Sequence, residues 1–471
     1  MQQLSAQDAS FLHLESQRTP MHIGSVAIYD QSSVEGGLVT FKSILAMLSE
    51  RLGMARSFTE RLVHVPMRVD YPYWVSDPDF DLEYHVRHIA LPKPGDWRQL
   101  WIQAARLVSR PLDLSRPLWE FTVVEGLDNL EGIPTGSYAI VSKIHHCAID
   151  GVSGQEITAA IHDLEPDAPP IDRPLVHTDV EPSRIELLGR AAVNSVRQPL
   201  RVPGLIRETL PAIGRLVKTA GQDDIRLPAV PGRVPATRFN QRVSPNRVIS
   251  GSRFDLDEVK AIKNSVPGAT VNDAVLTICA GGIRRYLEHH GELPEESLTA
   301  MAPISVRSDS EQTDAGNHVS AMVVRLRTDI ADDTERLSAI RDATRESKEL
   351  TNAVGARLMT DYTEFIPAAT AALASRLATR LAANSARPAM NCVISNVVGP
   401  QVPLYAASAR LVDMYGFGPL VDGLTLFIAV LSYCGGITIS VTSCREIMPD
   451  PERFMDAVNE TFEGLKVGLA T

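Results

Sequence analysis

The residues best suited to chemistry are two adjacent histidines, His145 and His146, followed by Asp150 and Gly151 in the pattern HHxxxDG. A histidine whose pKa lies near neutrality can accept a proton from an alcohol and later return it to a leaving group. A nearby carboxylate can orient such a ring, as in a catalytic triad. The pattern therefore predicts acid–base chemistry at a hydroxyl group.

The elements around this pattern predict where it lies in the fold. Residues 137–144 have the pattern of a strand, Gly151 indicates a turn, and residues 155–164 can form a helix. The histidines would then stand at the C-terminal end of a strand, where many α/β folds place reacting groups. Because side chains alternate across a strand, one histidine should face a cavity while the other supports the loop.

Two histidines at a strand end can also be purely structural. The four fixed residues of HHxxxDG should, however, recur by chance in only about one in a thousand chains of this length. We therefore interpret the pattern as an active site.

Length and composition restrict the class of protein. With 471 residues the chain is too long for one hydrophobic core, which predicts two domains. The apolar share of 44% and the charged share of 22% are ordinary for a globular protein. A net charge of −11 argues against a nucleic-acid partner. The five cysteines form no CxxC pair, which disfavours a disulfide framework or a zinc site and fits a reducing compartment.

The sequence predicts neither a secretory signal nor a transmembrane helix. Residues 1–10 are polar, and the longest apolar stretch, 424–441, is interrupted by Cys434, Gly435 and Gly436. We therefore expect a cytoplasmic protein that would meet any lipid substrate from outside the membrane.

Changes in composition predict the organisation of the chain. An N-terminal domain at 1–180 carries HHxxxDG, a basic helical and proline-rich linker covers 181–240, and a C-terminal domain covers 241–471. Within the linker, the amphipathic cationic stretch Leu205–Lys218 would either pack on the protein or dock on anionic lipid.

Periodicity predicts the main elements. Strands are expected at 22–29, 119–124, 137–144, 298–306, 318–326, 392–395, 424–431 and 437–442. Helices are expected at 96–109, 333–350, 361–383 and 451–467, together with a helix opened by residues 270–273 and capped by Asn272 or Asp273.

The motifs of the chain resemble those of a known family. HHxxxDG is similar to the active-site motif of the coenzyme A-dependent acyltransferase superfamily, which includes chloramphenicol acetyltransferases, plant acyltransferases and peptide-synthetase condensation domains. The flanking motifs resemble those of bacterial wax ester synthases/diacylglycerol acyltransferases. These motifs are residues 8–12, residues 20–24, Arg116 with Pro117, Leu118 and Trp119, Asn272 with Asp273, Gly316 with Asn317, and Ser395, Asn396, Val397, Val398, Gly399 and Pro400. Val398 departs from the pattern, because proline is more usual there.

The resemblance implies an α/β fold of two similar chloramphenicol-acetyltransferase-like domains, with mixed sheets flanked by helices and joined by a long helical linker. It implies an acyl-CoA substrate and a diacylglycerol or long-chain alcohol acceptor that meet in a tunnel. His146 would be the general base, and Asn272 would donate a hydrogen bond to the oxyanion. No metal, cofactor or covalent acyl-enzyme is expected. Asp150 would hold the loop through His145 or Arg307, and the protein would associate peripherally with the inner membrane or lipid inclusions.

The secondary motifs also allow structural interpretations. Asn272 and Asp273 would serve first as a helix cap and second in catalysis. Pro117, Leu118 and Trp119 favour packing over substrate contact. The pairs Gly316–Asn317 and Gly399–Pro400 favour tight turns at the domain junction.

Three other functions stay open. One is a condensation-type enzyme that uses a carrier-protein thioester, and another is a non-catalytic neutral-lipid-binding or lipid-droplet protein. A hydrolase is a weaker alternative, since the chain has no GxSxG, HExxH or P-loop motif. The sequence does not decide between diacylglycerol and fatty alcohol, and it leaves the oligomeric state open.

Overall fold

The computed structural model describes residues 1–149, 157–158, 160–169, 180–194, 234–305, 319–354 and 388–468. Asp150, Gly151, Arg307, Gly316 and Asn317 lie outside the described residues. So do the basic stretch 205–218 and the predicted helix at 361–383.

The first of two six-stranded sheets contains the strand that leads to the histidines. Its order is β12-β13-β2-β7-β6-β5, with all neighbours antiparallel except β6 and β5. The strands are β2 His22–Asp30, β5 Val86–Ala90, β6 Trp119–Leu127, β7 Ser137–His145, β12 Tyr405–Ala406 and β13 Ala409–Phe417.

The second six-stranded sheet has the order β10-β9-β11-β14-β15-β8 and is also mixed. Strands β9, β11 and β14 run parallel, while the remaining neighbours are antiparallel. Its strands are β8 Arg247–Asp255, β9 Thr299–Ser305, β10 Val319–Arg325, β11 Cys392–Val398, β14 Phe427–Tyr433 and β15 Gly436–Cys444.

A small third sheet, in the order β1-β4-β3, eight α-helices and five short 3-10 helices complete the named elements of the described residues. Its strands are β1 Gln2–Gln3, β3 Glu60–Val63 and β4 Tyr73–Ser76. The helices are α1 Ala6–Leu14, α2 Phe41–Arg51, α3 Leu82–His85, α4 Trp97–Ser109, α5 Leu256–Asn264, α6 Val271–His289, α7 Asp333–Val354 and α8 Pro451–Gly468. Residues 184–194 are helical as well.

Both faces of the first sheet are buried, as the apolar residues of β2 require. Val26 and Ile28 pack with Leu100 and Ala104 of α4 on one face. Ala27 and Tyr29 lie in a separate apolar cluster on the other face, together with residues of α2. The central strands therefore cannot shift register without moving a buried side chain to the wrong face. This restricts the position at which β7 ends.

Two strands from the C-terminal part of the chain, β12 and β13, belong to the first sheet. Strands β12 and β13 follow β11 of the second sheet in sequence, yet β13 pairs with β2 of the first sheet from Arg410 opposite Asp30 to Phe417 opposite Gly24. Arg253 of β8 donates to the Asp413 carboxylate of β13 at 2.9 Å. The first sheet is thus not built from residues 1–180 alone, although the domain limits themselves stay a prediction.

The predicted fold class is confirmed, because the chain forms two mixed sheets flanked by helices. Two local predictions were wrong. Helix α6 is capped by Thr270, whose side chain accepts from the Asp273 amide while Asp273 completes a capping box. Strand β14 starts at Phe427 rather than Leu424, since Leu424 pairs with Val421 in an isolated bridge.

No helix among the described residues is long and apolar enough to cross a membrane.

Candidate active site

Four of the sequence motifs meet at the end of β7: HHxxxDG, residues 8–12, residues 20–24 and residues 116–119. The His145 amide donates to the Leu118 carbonyl at 2.9 Å, and the His146 amide donates to the Met21 carbonyl at 2.8 Å. The backbone at the histidine pair is thus held from two sides, by the segment before β6 and by the segment before β2. Beyond this point the chain leaves the sheet in a short 3-10 turn, His146–Ala148.

His145 is fully buried and stabilises this turn. Its Nδ1 atom accepts a hydrogen bond from the Cys147 amide at 3.1 Å. A nitrogen that accepts cannot carry the proton, so the neutral ring has its proton on Nε2. The Nε2 atom lies 3.4 Å from the Glu15 carboxylate. With Nδ1 occupied and the ring enclosed, His145 is poorly suited to act as a base.

His146 is half-buried, and its ring stacks on the ring of Phe11 from α1. The ring centroids are 3.8 Å apart and the planes differ by 14°. Burial lowers the pKa of His146 to about 4, with a contact to its own backbone carbonyl partly opposing the shift. The imidazole is therefore neutral at physiological pH, which is the protonation state that a general base needs.

The thiol beside the histidines is not suited to nucleophilic attack. Burial, together with the negative charges of Asp8 and Glu15, raises the pKa of Cys147 well above its ordinary value. A thiol in that state carries little thiolate at neutral pH. All five cysteines are unpaired thiols.

The motif Pro117, Leu118 and Trp119 packs inside the protein. Leu118 is fully buried and Trp119 nearly so. The Trp119 indole donates to the Phe58 carbonyl at 3.0 Å, and its ring stacks on His85 with 4.7 Å between centroids. These contacts fix β6 beside the histidines. The described contacts of the motif are thus packing contacts.

Asn272 and Asn396, from two distant motifs, contact each other. The Asn396 side-chain amide donates to the Asn272 side-chain oxygen at 3.0 Å. This bond orients the Asn272 side chain, so that its own NH₂ group remains as a donor. Asp273 has a different role, because its buried carboxylate accepts from the Thr270 amide at 2.7 Å and from the Thr344 hydroxyl at 2.6 Å.

Gly399 and Pro400 lie where β11 approaches the end of β14. The Gly399 amide donates to the Ser432 carbonyl at 3.0 Å. A Cβ atom at Gly399 would lie 2.3 Å from that same oxygen. The glycine is therefore needed for close backbone approach.

The described residues contain no cluster of three or more His, Cys, Asp or Glu side chains that could hold a metal ion. The predicted loop residues Asp150 and Arg307 lie outside the described residues, so the partner of Asp150 stays a prediction.

Glu15 is the functional candidate that sequence reasoning missed. An acidic residue just after a short helix carries no local signal of a site. Its place beside His145 follows from the pairing of β2 with β7, in which His22 stands opposite His145.

Comparison with known proteins identifies the family. Residues 4–275 match the wax ester synthase/diacylglycerol acyltransferase catalytic domain, and residues 315–466 match the C-terminal domain of the same family. One Mycobacterium tuberculosis protein named as a diacylglycerol O-acyltransferase is 31% identical over 98% of this chain and 90% of its own length. Another is 32% identical over 99% of this chain and 100% of its own length.

Solved structures agree with this result. The wax ester synthase/diacylglycerol acyltransferase from Marinobacter aquaeolei VT8 superposes with a TM-score of 0.69 at 25% identity, covering 100% of both chains. The first condensation domain of the calcium-dependent antibiotic synthetase shares the fold, with a TM-score of 0.57 at 12% identity and coverage of 99% of this chain and 96% of that one. The chain therefore belongs to the wax ester synthase/diacylglycerol acyltransferase family.

Proposed function

We propose that this protein transfers an acyl group from acyl-CoA to the hydroxyl of a diacylglycerol or a long-chain alcohol, with His146 as the general base. The observation that carries the proposal is the neutral, half-buried imidazole of His146, held at the end of β7 by backbone bonds from two motifs. The names of the relatives support the substrate class.

The geometry of His146 favours one ring nitrogen as the base. The Nδ1 atom is buried from solvent, so Nε2 is the atom that accepts the proton. As the hydroxyl proton passes to Nε2, the alcohol oxygen bonds to the thioester carbonyl carbon and an oxyanion forms. The C–S bond then breaks, and the departing thiolate takes the proton from the imidazolium. No group other than the two substrates is consumed.

Asn272 is the candidate donor to the oxyanion. Its side-chain oxygen is occupied by Asn396, and its NH₂ group remains available. A donor of this kind is typically worth about 3 kcal/mol of transition-state stabilisation.

The experiment that tests the proposal measures thiol release from palmitoyl-CoA with no acceptor, with hexadecanol or with dioleoylglycerol, followed by chromatography of the lipids. Acceptor-dependent release that yields wax ester or triacylglycerol supports the proposal and ranks the two alcohols. Release without acceptor indicates a thioesterase. An absence of release in every mixture favours a carrier-protein donor or a lipid-binding role.

The same assay tests the base. His146→Ala should abolish turnover, while His88→Ala is a matched control, because His88 also stacks on a phenylalanine, Phe41, but at the surface. Full activity of folded His146→Ala would rule out the mechanism.

We also propose that the protein contacts a lipid surface peripherally. Helical residues 184–194 bury Leu187 and Ala191. Ile185 and Val193 are 84% and 49% exposed. The helix carries Arg184 and Arg190 against Glu186, and this small positive charge together with the exposed apolar side suits an anionic lipid surface. Vesicles of phosphatidylglycerol and phosphatidylcholine should sediment the protein, Ile185→Ser should weaken this binding, and Val467→Ser, at another exposed valine, should leave it unchanged.

A further inference from the structure

We propose that Glu15 is a positioning residue whose carboxylate fixes the tautomer of His145 and the backbone of His146. This inference deepens the proposed function and rests on His146 as the base. Glu15 lies just after α1, in a segment to which neither HHxxxDG nor the flanking motifs extend.

The Glu15 carboxylate is itself held firmly. Its side chain is 9% exposed. The backbone amide of Glu15 donates to the Phe11 carbonyl at 3.0 Å, which closes the end of α1. The Oε2 atom accepts from the Met21 amide at 2.5 Å. A carboxylate that accepts from a backbone amide makes a charge-assisted hydrogen bond, which holds the position of this oxygen.

One route from Glu15 to the base runs through the backbone of Met21. The Met21 amide donates to Glu15, and the Met21 carbonyl accepts from the His146 amide at 2.8 Å. The carboxylate thereby fixes the peptide segment that holds His146 at the end of β7.

The second route runs through the ring of His145. Because Nδ1 accepts from the Cys147 amide, the proton must lie on Nε2, which faces the same Oε2 atom at 3.4 Å. Among the described residues, Nε2 makes no hydrogen bond of ordinary geometry. The negative oxygen thus compensates a buried N–H that would otherwise be costly.

Loss of the carboxylate should act on the chemistry more than on binding. Without Glu15 the His145 proton can move to Nδ1, and the Cys147 amide then loses its acceptor. The turn His146–Ala148 would relax and His146 would shift. A misplacement of about 1 Å can cost about a hundredfold in rate.

The test compares Glu15→Leu, Glu15→Gln and Glu60→Leu. Glutamine keeps an oxygen that can accept from both Met21 and His145. Glu60 is a matched control, because it is also buried but pairs with Arg56 rather than with the histidines. Glu15→Leu should lower kcat at least about tenfold with little change in KM, and both other variants should stay near the wild-type kcat.

A second readout is spectroscopic. With ¹⁵N-labelled histidine, the wild-type His145 ring should show an unprotonated Nδ1 and a protonated Nε2. In Glu15→Leu these shifts should move toward the other tautomer, and in Glu15→Gln they should stay. A purely structural role would lower Tm without moving the tautomer.

The outcomes separate the two proposals. An unchanged kcat and unchanged His145 shifts in folded Glu15→Leu would overturn the role of Glu15. If Glu15→Leu does not fold, the wild-type spectrum decides, since a proton on Nδ1 of His145 contradicts the proposal. Full activity of His146→Ala would instead overturn the proposed base while leaving the tautomer measurement valid.

Discussion

The ring of Phe11 covers the ring of His146 at a centroid distance of 3.8 Å, nearly parallel to it. An aromatic side chain from the first helix therefore excludes water from one face of the proposed base. Desolvation is the largest cause of the low pKa of His146, so the stack is directly tied to the protonation state that catalysis needs.

Replacing Phe11 should therefore change the pH dependence of catalysis. In the wild-type protein kcat/KM should stay flat well below pH 6.5, with an acidic limb near the His146 pKa of about 4. Phe11→Ala admits water, raises the pKa of His146 and moves that limb upward. Phe41→Ala, which removes the similar stack on His88, should leave the limb in place. A Phe11→Ala profile that superposes on the wild-type profile would contradict this explanation.

Stability should fall as the pH is lowered from 6.5 toward 4. Burial lowers the pKa of His146 and of His162 to about 4 from a reference value of 6.5, so the unfolded chain binds more protons in this range. Each such histidine lowers the free energy of unfolding by up to about 1.4 kcal/mol for each unit by which the pH falls in this range. Asp413 acts in the opposite direction, because burial raises its pKa to about 6.

His162→Gln isolates one of these contributions. The His162 ring accepts from the Tyr29 hydroxyl at 2.8 Å and donates to the Thr158 carbonyl at 2.8 Å, and glutamine can make both kinds of bond. Urea unfolding measures how much the free energy of unfolding decreases from pH 7 to pH 5. This decrease should be smaller by about 2 kcal/mol in the variant than in the wild-type protein. Asp413 is present in both proteins and cancels. An equal loss in both would show that His162 does not titrate as described.

Asn272→Asp should separate hydrogen-bond donation from orientation. Aspartate can still accept from Asn396, yet it has no NH₂ group for an oxyanion. We expect kcat to fall about a hundredfold, whereas Asn396→Ala should cause a smaller loss, because it frees the Asn272 amide without removing it. Single-turnover rates with saturating acyl-CoA measure both effects. An Asn272→Asp protein with wild-type turnover would exclude Asn272 as the oxyanion donor.

Gly24→Ala should destabilise the first sheet. A Cβ atom there would lie 1.9 Å from the Ser142 carbonyl and 2.7 Å from the Phe417 ring, so β2 and β7 would have to separate. We expect a loss of about 3 kcal/mol, measured as a lower Tm by calorimetry. Gly189→Ala is the control, since a Cβ atom there meets nothing within 4 Å. That change should raise stability by about 0.5–1 kcal/mol because the residue is helical.

Local patterns predicted the elements well where a strand or helix is buried. Apolar runs placed β2 and β7 to within a residue or two, since burial on both faces of the sheet requires apolar residues at Val26, Ala27 and Ile28 alike. The motif HHxxxDG placed the histidines at the end of a strand, as the structure has them.

Long-range pairing could not be predicted in the same way. Alternation in β13 indicates that its residues are buried, but not that their partner is β2 rather than a strand of the second sheet. Glu15 was missed for a similar reason, because its contact with His145 depends on the long-range pairing of β2 with β7. The helix cap at Thr270 was missed because Thr, Asn and Asp all cap helices and stand within four positions here.

The passage of β13 into the first sheet also bears on how the protein is made. Strand β2 is complete at Asp30, but the strand that covers its outer edge begins only at Ala409. A ribosome adds about 5–20 residues per second, so this edge stays open while most of the polypeptide is synthesised. An open edge of this kind is a template for pairing with other nascent chains. The histidine-bearing sheet therefore cannot be completed until Ala409–Phe417 have left the ribosome, and a chaperone that shields β2 during synthesis should raise the yield of active protein.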